Sequence, residues 1–287
     1  MKQQAVHYFP GHMQKALRKV ESFISLVDIV IELVDARAPL SSRNPLLTGL
    51  NPSKPRLILL SKDDMADEAV TKLWVDFFRA SGMQCVSANL KKGKLLGLLS
   101  SSVDKAISAK REKEKRLGMK RQPAKAMVIG IPNVGKSTLI NSLASRKAAS
   151  VGNKAGITRA EQWIKLSEDF ILLDTPGILP MNYPTPEQAV RLALLGSMRE
   201  DVMPNDELAE RLLSFLRENY PNSLQNRFEI GDISSLPDDE ILQSIAKRRG
   251  LLENGAPSSA KAAYLLLKEF KDGVLGRISL ERPADAR

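Results

Sequence analysis

Gly130-Ile-Pro-Asn-Val-Gly-Lys-Ser137 is the stretch whose residue types and spacing most plainly suit a chemical task. Two glycines separated by four residues, then lysine and serine, fit a loop that wraps phosphates. The glycines let backbone N–H groups turn inward, and a following helix N-terminus adds partial positive charge. Lys136 would neutralise the β- and γ-phosphates of a nucleotide, and the Ser137 hydroxyl would ligate Mg²⁺. The motif needs a strand before it and a helix after it. Ala126-Met-Val-Ile129 reads as that strand and Thr138-Leu-Ile-Asn-Ser-Leu-Ala144 as the first turns of that helix. Pro132, Asn133, Val134, Gly135, Lys136, Ser137 and Thr138 form the candidate phosphate-binding set.

A phosphate loop does not choose its base. Ser61-Lys62-Asp63-Asp64 follows a candidate strand at 56–60 and fits the Asn/Thr-Lys-x-Asp pattern of guanine-binding sites. The Asp64 carboxylate can accept from guanine N1 and N2, whereas adenine would leave it badly paired, a mismatch that costs ~10⁴-fold at sites built on such bonds. Lys62 would lie along the base ring, and Ser87-Ala88, closing a third strand at 83–86, would add a backbone contact. Asp174-Thr-Pro-Gly177 follows a strand at 170–173 and fits a γ-phosphate sensor: Asp174 reaches Mg²⁺, directly or through a water, and the Gly177 N–H faces the phosphate. Thr158, in a glycine-bearing loop, fits the threonine that completes the metal shell. Asn133 stands where potassium-activated hydrolases place a K⁺ ligand, and the ion would stabilise charge in the transition state. Ile178 occupies the place where a glutamine often orients the attacking water, and isoleucine can do neither half of that task. His12, one of two histidines, opens a basic helical pattern after Pro10-Gly11 and is the candidate for it.

The elements that must position these residues alternate. Strands at 27–34, 56–60, 83–86 and 126–129, with helical stretches between them, imply a mostly parallel sheet with helices on both faces. The polar motifs fall at carboxyl ends of strands, where such sheets bind ligands. Near residue 180 the composition changes: Pro180, Pro184 and Pro186 mark a linker, and Thr185 with Gln188 fits a capping box. Helices are expected at about 187–200, 206–219, 238–249 and 259–272, with Gly250 and Gly273 as terminators. The expected domains are therefore 1–180 and an all-helical 181–287.

The 287 residues carry one cysteine, Cys85, which excludes an internal disulfide, and no apolar run long enough to span a membrane. No signal-peptide pattern opens the chain, so a reducing cytosol is the expected compartment. Net charge is +10 and uneven: 29 basic against 16 acidic residues in 1–180, but 14 against 17 in 181–287. Such an excess suits a polyanionic partner. Residues 105–125, with nine lysines and arginines, suit either an exposed linker or a nucleic-acid contact.

The order of motifs is unusual. The guanine motifs at 61–64 and 87–88 precede the phosphate loop, the reverse of an ordinary GTPase. The same sheet assembles if residues 89–125 join the usual termini, which makes this a circularly permuted P-loop GTPase domain followed by a small helical domain. It also puts the γ-phosphate sensor next to those helices, so that a change at the nucleotide pulls on them.

The chain resembles the circularly permuted ribosome biogenesis GTPase A family (RbgA/YlqF) over nearly its full length. The resemblance rests on Phe9-Pro-Gly-His-Met13, Asp35-Ala-Arg-Ala-Pro39 with Arg43-Asn44, Ile131 to Ser137, Asp174-Thr-Pro-Gly-Ile178, Leu192-Ala-Leu-Leu-Gly196 and Leu275-Gly-Arg277. It implies a bacterial cytoplasmic GTPase acting in late assembly of the large ribosomal subunit, with a mitochondrial relative as the other possibility. His12 is then the catalytic histidine, GTP and GDP the nucleotides, and a precursor subunit with its rRNA and ribosomal proteins the partner. No membrane partner is expected, and the expected state off the ribosome is a monomer. The alternative is a nucleotide-gated rRNA-binding placeholder with little hydrolysis of its own; an unrelated ATPase or kinase is disfavoured by Asp64 and Ser87-Ala88. The resemblance also implies that the C-terminal helices touch RNA, for which Lys247, Arg248, Arg249, Lys261, Lys268 and Lys271 are the basic residues at hand. Two features depart from the pattern. Ser61 replaces the usual asparagine, an expected loss of about 1 kcal/mol in nucleotide binding, and the C-terminal region is net negative.

Overall fold

A computed structural model describes residues 11–92, 94–151, 163–173, 185–198, 203–233 and 235–286. Helix α1 (Gly11–Ile24) leads into strand β1 (Ile29–Asp35), followed by α2 (Pro45–Thr48), β2 (Arg56–Ser61), α3 (Glu68–Ala80) and β3 (Gln84–Ala88). The connection back is helical, α4 (Leu95–Ala106) and α5 (Ser108–Arg116), and feeds β4 (Ala124–Ile129) and α6 (Lys136–Val151). Strands β5 (Trp163–Ser167) and β6 (Phe170–Leu173) complete a six-stranded sheet of order β3-β2-β1-β4-β6-β5, in which only β5 runs antiparallel.

Alternation along the strands explains the two helical layers. Ile29, Ile31, Leu33, Leu57, Leu59, Ala126 and Val128 face α4 and α6, burying Leu95, Leu99, Val103, Leu139 and Leu143. Val30, Met127 and Ile129 face α1 through Val20 and Ile24, while Val34, Ile58 and Leu60 face Trp74 and Phe78 of α3. All of β1 is buried, as expected of a central parallel strand. Helices thus cover both faces of a mostly parallel sheet.

Beyond residue 184 lie α7 (Pro186–Leu194), α8 (Asn205–Asn219), α9 (Pro221–Phe228), α10 (Asp238–Arg249), the hairpin β7 (Leu252–Glu253) and β8 (Ala256–Pro257), and α11 (Ser259–Lys271). Their buried residues form a core of their own, including Leu212, Leu216, Phe228, Ile245, Leu266 and Phe270, which Ala38 alone among the described residues joins from the sheet half.

Three expectations are corrected. Helix α7 stops at Leu194 rather than 200, because Gly196 adopts φ +69° and reverses the chain. Helix α9 was not expected; Pro221 stands at its first turn, where a missing N–H costs nothing. The β7–β8 hairpin was also missed, although Asn254 (φ +49°) and Gly255 (φ +80°) are the pair that a two-residue hairpin turn favours. The capping box forms by half: Gln188 N donates to Thr185 Oγ1 at 3.2 Å, but the Gln188 side chain donates to Ser41 O instead. Gly250 (φ +64°) closes α10 as expected.

Candidate functional site

The chain runs outward from β1 to β2 and β3, returns, and continues on the other side of β1 from β4 to the edge strand β5 and back to β6. The direction reverses between β1 and β4, and the crevice at the carboxyl ends of that pair is where an open α/β sheet binds ligands. The phosphate loop lies there. Gly130 has φ +159°, and a Cβ on it would meet Leu33 O of β1 at 2.5 Å, so only glycine fits. Lys136, buried at the start of α6, donates to Gly130 O at 3.1 Å and Ile131 O at 2.7 Å, which keeps its ammonium inside the loop it serves. Val134 is buried, Pro132, Gly135 and Thr138 are half-buried, and Ser137 is exposed.

Ser61 closes β2 directly against this loop. Its Oγ lies 2.7 Å from Val134 O and 2.9 Å from Val34 O, so its one proton reaches the loop even though the side chain is shorter than asparagine. Asn133 (φ +61°) donates from Nδ2 to Gly196 O at 2.6 Å, a bond across to the turn after α7.

The base-recognition residues meet in one cleft. Asp63, Asp64, Ser87 and Ala88 line a cavity of about 810 Å³ at the ends of β2 and β3, walled by α3 and α4. Burial, then the neighbouring charge of Asp64, push the Asp63 carboxyl up, against Arg277 and the Ser87 hydroxyl, which pull it down. Lys62 does not share this cleft's lining. With φ +56°, it places Nζ 2.7 Å from Oδ2 of the fully buried Asp35.

Asp35 anchors a group of contacts that the sequence reading passed over. Arg37 meets its carboxylate twice, through Nε at 3.0 Å and Nη2 at 2.9 Å. Burial alone would raise the Asp35 carboxyl, but the charges of Arg37 and Lys62 outweigh it and hold the group well below the usual carboxylate range. From its other side Arg37 donates to Phe270 O at 3.2 Å and Lys271 O at 3.3 Å, satisfying carbonyls at the end of α11. Glu281, also buried, accepts from Leu40 N and from Ser41 N and Oγ, and pairs with Arg191 at 3.2 Å. Two polar side chains at the end of a wholly buried strand were the signal available; nothing nearby in sequence names their partners.

His12 stands in the first turn of α1, and its side chain lies outside the described residues, as do Thr158, Asp174 and Gly177. Helix α1 joins β1 through residues 25–28 and packs on the same sheet, so the two run in opposite directions. Its 14 residues span about 21 Å, close to the roughly 23 Å of the seven-residue β1. That carries the first turn of α1 towards the carboxyl edge, where the phosphate loop lies.

The basic residues divide. In 105–125, Arg111 pairs with Asp104 and Glu114, Lys110 with Asp28, and Arg121 with Asp104 and Asp169, stitching α4 and α5 to the sheet. Lys105, Lys113, Lys115, Arg116 and Lys120 are exposed. Lys247, Arg248 and Arg249 are exposed in the last turn of α10, with Arg249 over the Phe228 ring. Lys261 donates to Leu252 O at 2.6 Å; it shares a face of α11 with Lys268, with the half-buried Lys271 and with the exposed Tyr264, a residue the charge count ignored.

Ribosome biogenesis GTPase A of Priestia megaterium is 39% identical over 285 residues, spanning 98% of both chains. The protein of that name from Bacillus cereus is 38% identical over 283 residues, 98% of this chain and 95% of that one. The chain belongs to the ribosome biogenesis GTPase A family. The model of a 50S ribosome-binding GTPase family matches residues 125–224. GNP-bound YlqF from T. maritima shares the fold, with a TM-score of 0.64 and 31% identity over 94% of this chain and 98% of that chain. As a member of the GTPase A family, the chain is a GTPase with the permuted motif order. No helix among the described residues is long and apolar enough to cross a membrane.

Proposed function

We propose that this GTPase couples hydrolysis of GTP to a late step in assembly of the large ribosomal subunit in the bacterial cytoplasm, binding precursor rRNA and ribosomal proteins as a monomer. The observation that carries the reading is the convergence of both halves of a guanine-nucleotide site on one sheet edge: the phosphate loop at the β1/β4 crevice and Asp63, Asp64, Ser87 and Ala88 around one cleft. In this reading the Asp64 carboxylate accepts from guanine, and Lys136 and the loop N–H groups hold the phosphates. His12 positions the attacking water through a ring nitrogen. Lys62, tied to Asp35, and Ser61, bonded to Val134 O of the phosphate loop, hold the end of β2 from which Asp64 is presented.

The metal reading is supported by donor chemistry. Ser137 offers an exposed hydroxyl beside Lys136, and Thr158 and Asp174 would add oxygens, a set suited to Mg²⁺. When bound, Mg²⁺ neutralises charge on the phosphates. For K⁺, the Asn133 amide nitrogen is committed to Gly196 O, which leaves Oδ1 as the atom to meet a cation.

Residues 1–180 form the GTPase domain and 181–287 the RNA- and ribosome-contacting one, through Lys247, Arg248, Arg249, Lys261, Lys268 and Lys271. Sedimentation with large ribosomal subunits tests this assignment. The protein should travel with the subunit in a non-hydrolysable GTP analogue and leave it in GDP; equal association in both nucleotides would contradict a nucleotide-driven cycle.

A further inference from the structure

The turn that carries Asp64 is held from the far end of the chain. Arg277 donates from Nε to Ala66 O at 2.7 Å and from Nη2 to Asp63 O at 2.9 Å, and pairs through Nη1 with Glu68 at 3.0 Å. The next residue, Ile278, donates its N–H to Met65 O at 2.9 Å. Within the turn, Met65 N donates to Lys62 O at 2.9 Å. The carbonyls of residues 62, 63, 65 and 66 are thus all engaged, three of them by residues 277 and 278, with Asp64 at the centre. Gly273 seals the contact: at φ +75°, a Cβ there would sit 2.8 Å from Met65 Cγ. Arg277 also lines the same cleft as Asp64, Ser87 and Ala88.

We propose that Arg277 is a positioning residue for guanine recognition: its guanidinium sets the turn 63–66, and through it the docked C-terminal helices set how well Asp64 meets the base. The fork of a guanidinium suits the task, because its N–H groups diverge in one plane and engage two carbonyls and a carboxylate at once. A lysine would reach one of them at a time. Coupling of this kind is reciprocal: whatever moves the helices alters guanine nucleotide affinity, and guanine nucleotide biases the helices. The route differs from one through the γ-phosphate, since it senses the base and therefore treats GTP and GDP alike.

The inference rests on Asp64 as the guanine-reading carboxylate, so the test separates the two. Dissociation constants for GDP and IDP, whose base lacks the N2 amine, are measured for the unaltered protein and for Arg277→Ala at one salt concentration. The unaltered protein should prefer GDP by about 10-fold or more, the worth of one hydrogen bond to a charged group. Arg277→Ala should weaken GDP by about 10-fold and IDP far less, drawing the ratio towards one. A purely structural role would weaken both nucleotides equally. An unchanged ratio in Arg277→Ala, beside clear discrimination in the unaltered protein, would overturn the proposal alone. Equal affinities in the unaltered protein would remove Asp64 from the base site and the proposal with it. If Arg277→Ala does not fold, as judged by circular dichroism, Arg277→Lys carries the same test: a reduced ratio supports the proposal and a full ratio overturns it.

Discussion

The two ends of the nucleotide site are built on different plans. The phosphate loop is largely self-made: Gly130 yields to Leu33 O, Lys136 bonds to carbonyls five and six residues back, and one contact, Asn133 to Gly196, comes from the helical half. The base turn is made from outside. Arg277 reaches it across 211 and 214 residues of sequence, and Lys62 beside it is tied to Asp35, whose partner Arg37 holds the end of α11. On this reading a loop that largely specifies itself should bind phosphate with little help from the helices. A turn completed by a second unit would let that unit regulate binding, which makes the base end the proposed point of control.

If the phosphate end performs the chemistry, the largest effect should come from His12→Ala: unchanged GTP binding with subunit-stimulated turnover lower by ~10²–10⁴-fold. Single-turnover kinetics check it, and full turnover or lost binding would separate His12 from catalysis. The Asp35 group, common to both units, should dominate stability. Asp35→Ala strands the buried Arg37 and should cost about 3–5 kcal/mol in a denaturant titration. Because the folded Asp35 carboxyl titrates below its ordinary value of 3.8, its contribution is complete above that pH and is lost as pH falls below it. Acid titration of the unaltered protein should therefore show stability falling there, and the Asp35→Ala profile should be flatter.

At the base end, Asp64→Asn should weaken GTP by about 10–100-fold while improving xanthosine triphosphate, as measured by competition. The phosphate end offers a smaller contrast. Replacing KCl by NaCl at equal ionic strength should slow turnover severalfold if Asn133 holds K⁺, and equal rates would remove that role. The smallest effect concerns neither end: charge reversal of Lys247, Arg248 and Arg249 should leave GTP affinity intact and flatten the salt dependence of subunit binding.

This contrast also explains what the sequence reveals. The phosphate loop, the strands and α8, α10 and α11 are legible because periodicity, caps and the Gly-x-x-x-x-Gly-Lys-Ser spacing are local properties. Helix α9 and the short hairpin hide in a polar stretch whose Pro221 and Asn254-Gly255 signals read equally as loop. The tie between Arg277 and the turn that carries Asp64 has no local signature at all. Leu275-Gly-Arg277 and Asp35-Ala-Arg37 stand out only as motifs, and their use as docking points emerges when the last residues fold back on α3, where Trp74 Nε1 donates to Glu281 O at 3.1 Å. The sequence order likewise directs attention to residues 174–177, which lie outside the described residues; among those described, contacts between the units run through the base turn, Asn133, Arg37 and Glu281.

The measurement that bears most directly on the account is GTP turnover with and without purified large ribosomal subunits, at fixed Mg²⁺ and K⁺. A GTPase whose cycle is coupled to subunit assembly should turn over slowly alone and severalfold or more faster with subunits, and His12→Ala should lack that increase. A rate indifferent to subunits would contradict the coupling and leave a protein that binds guanine nucleotides without acting on the ribosome through their hydrolysis.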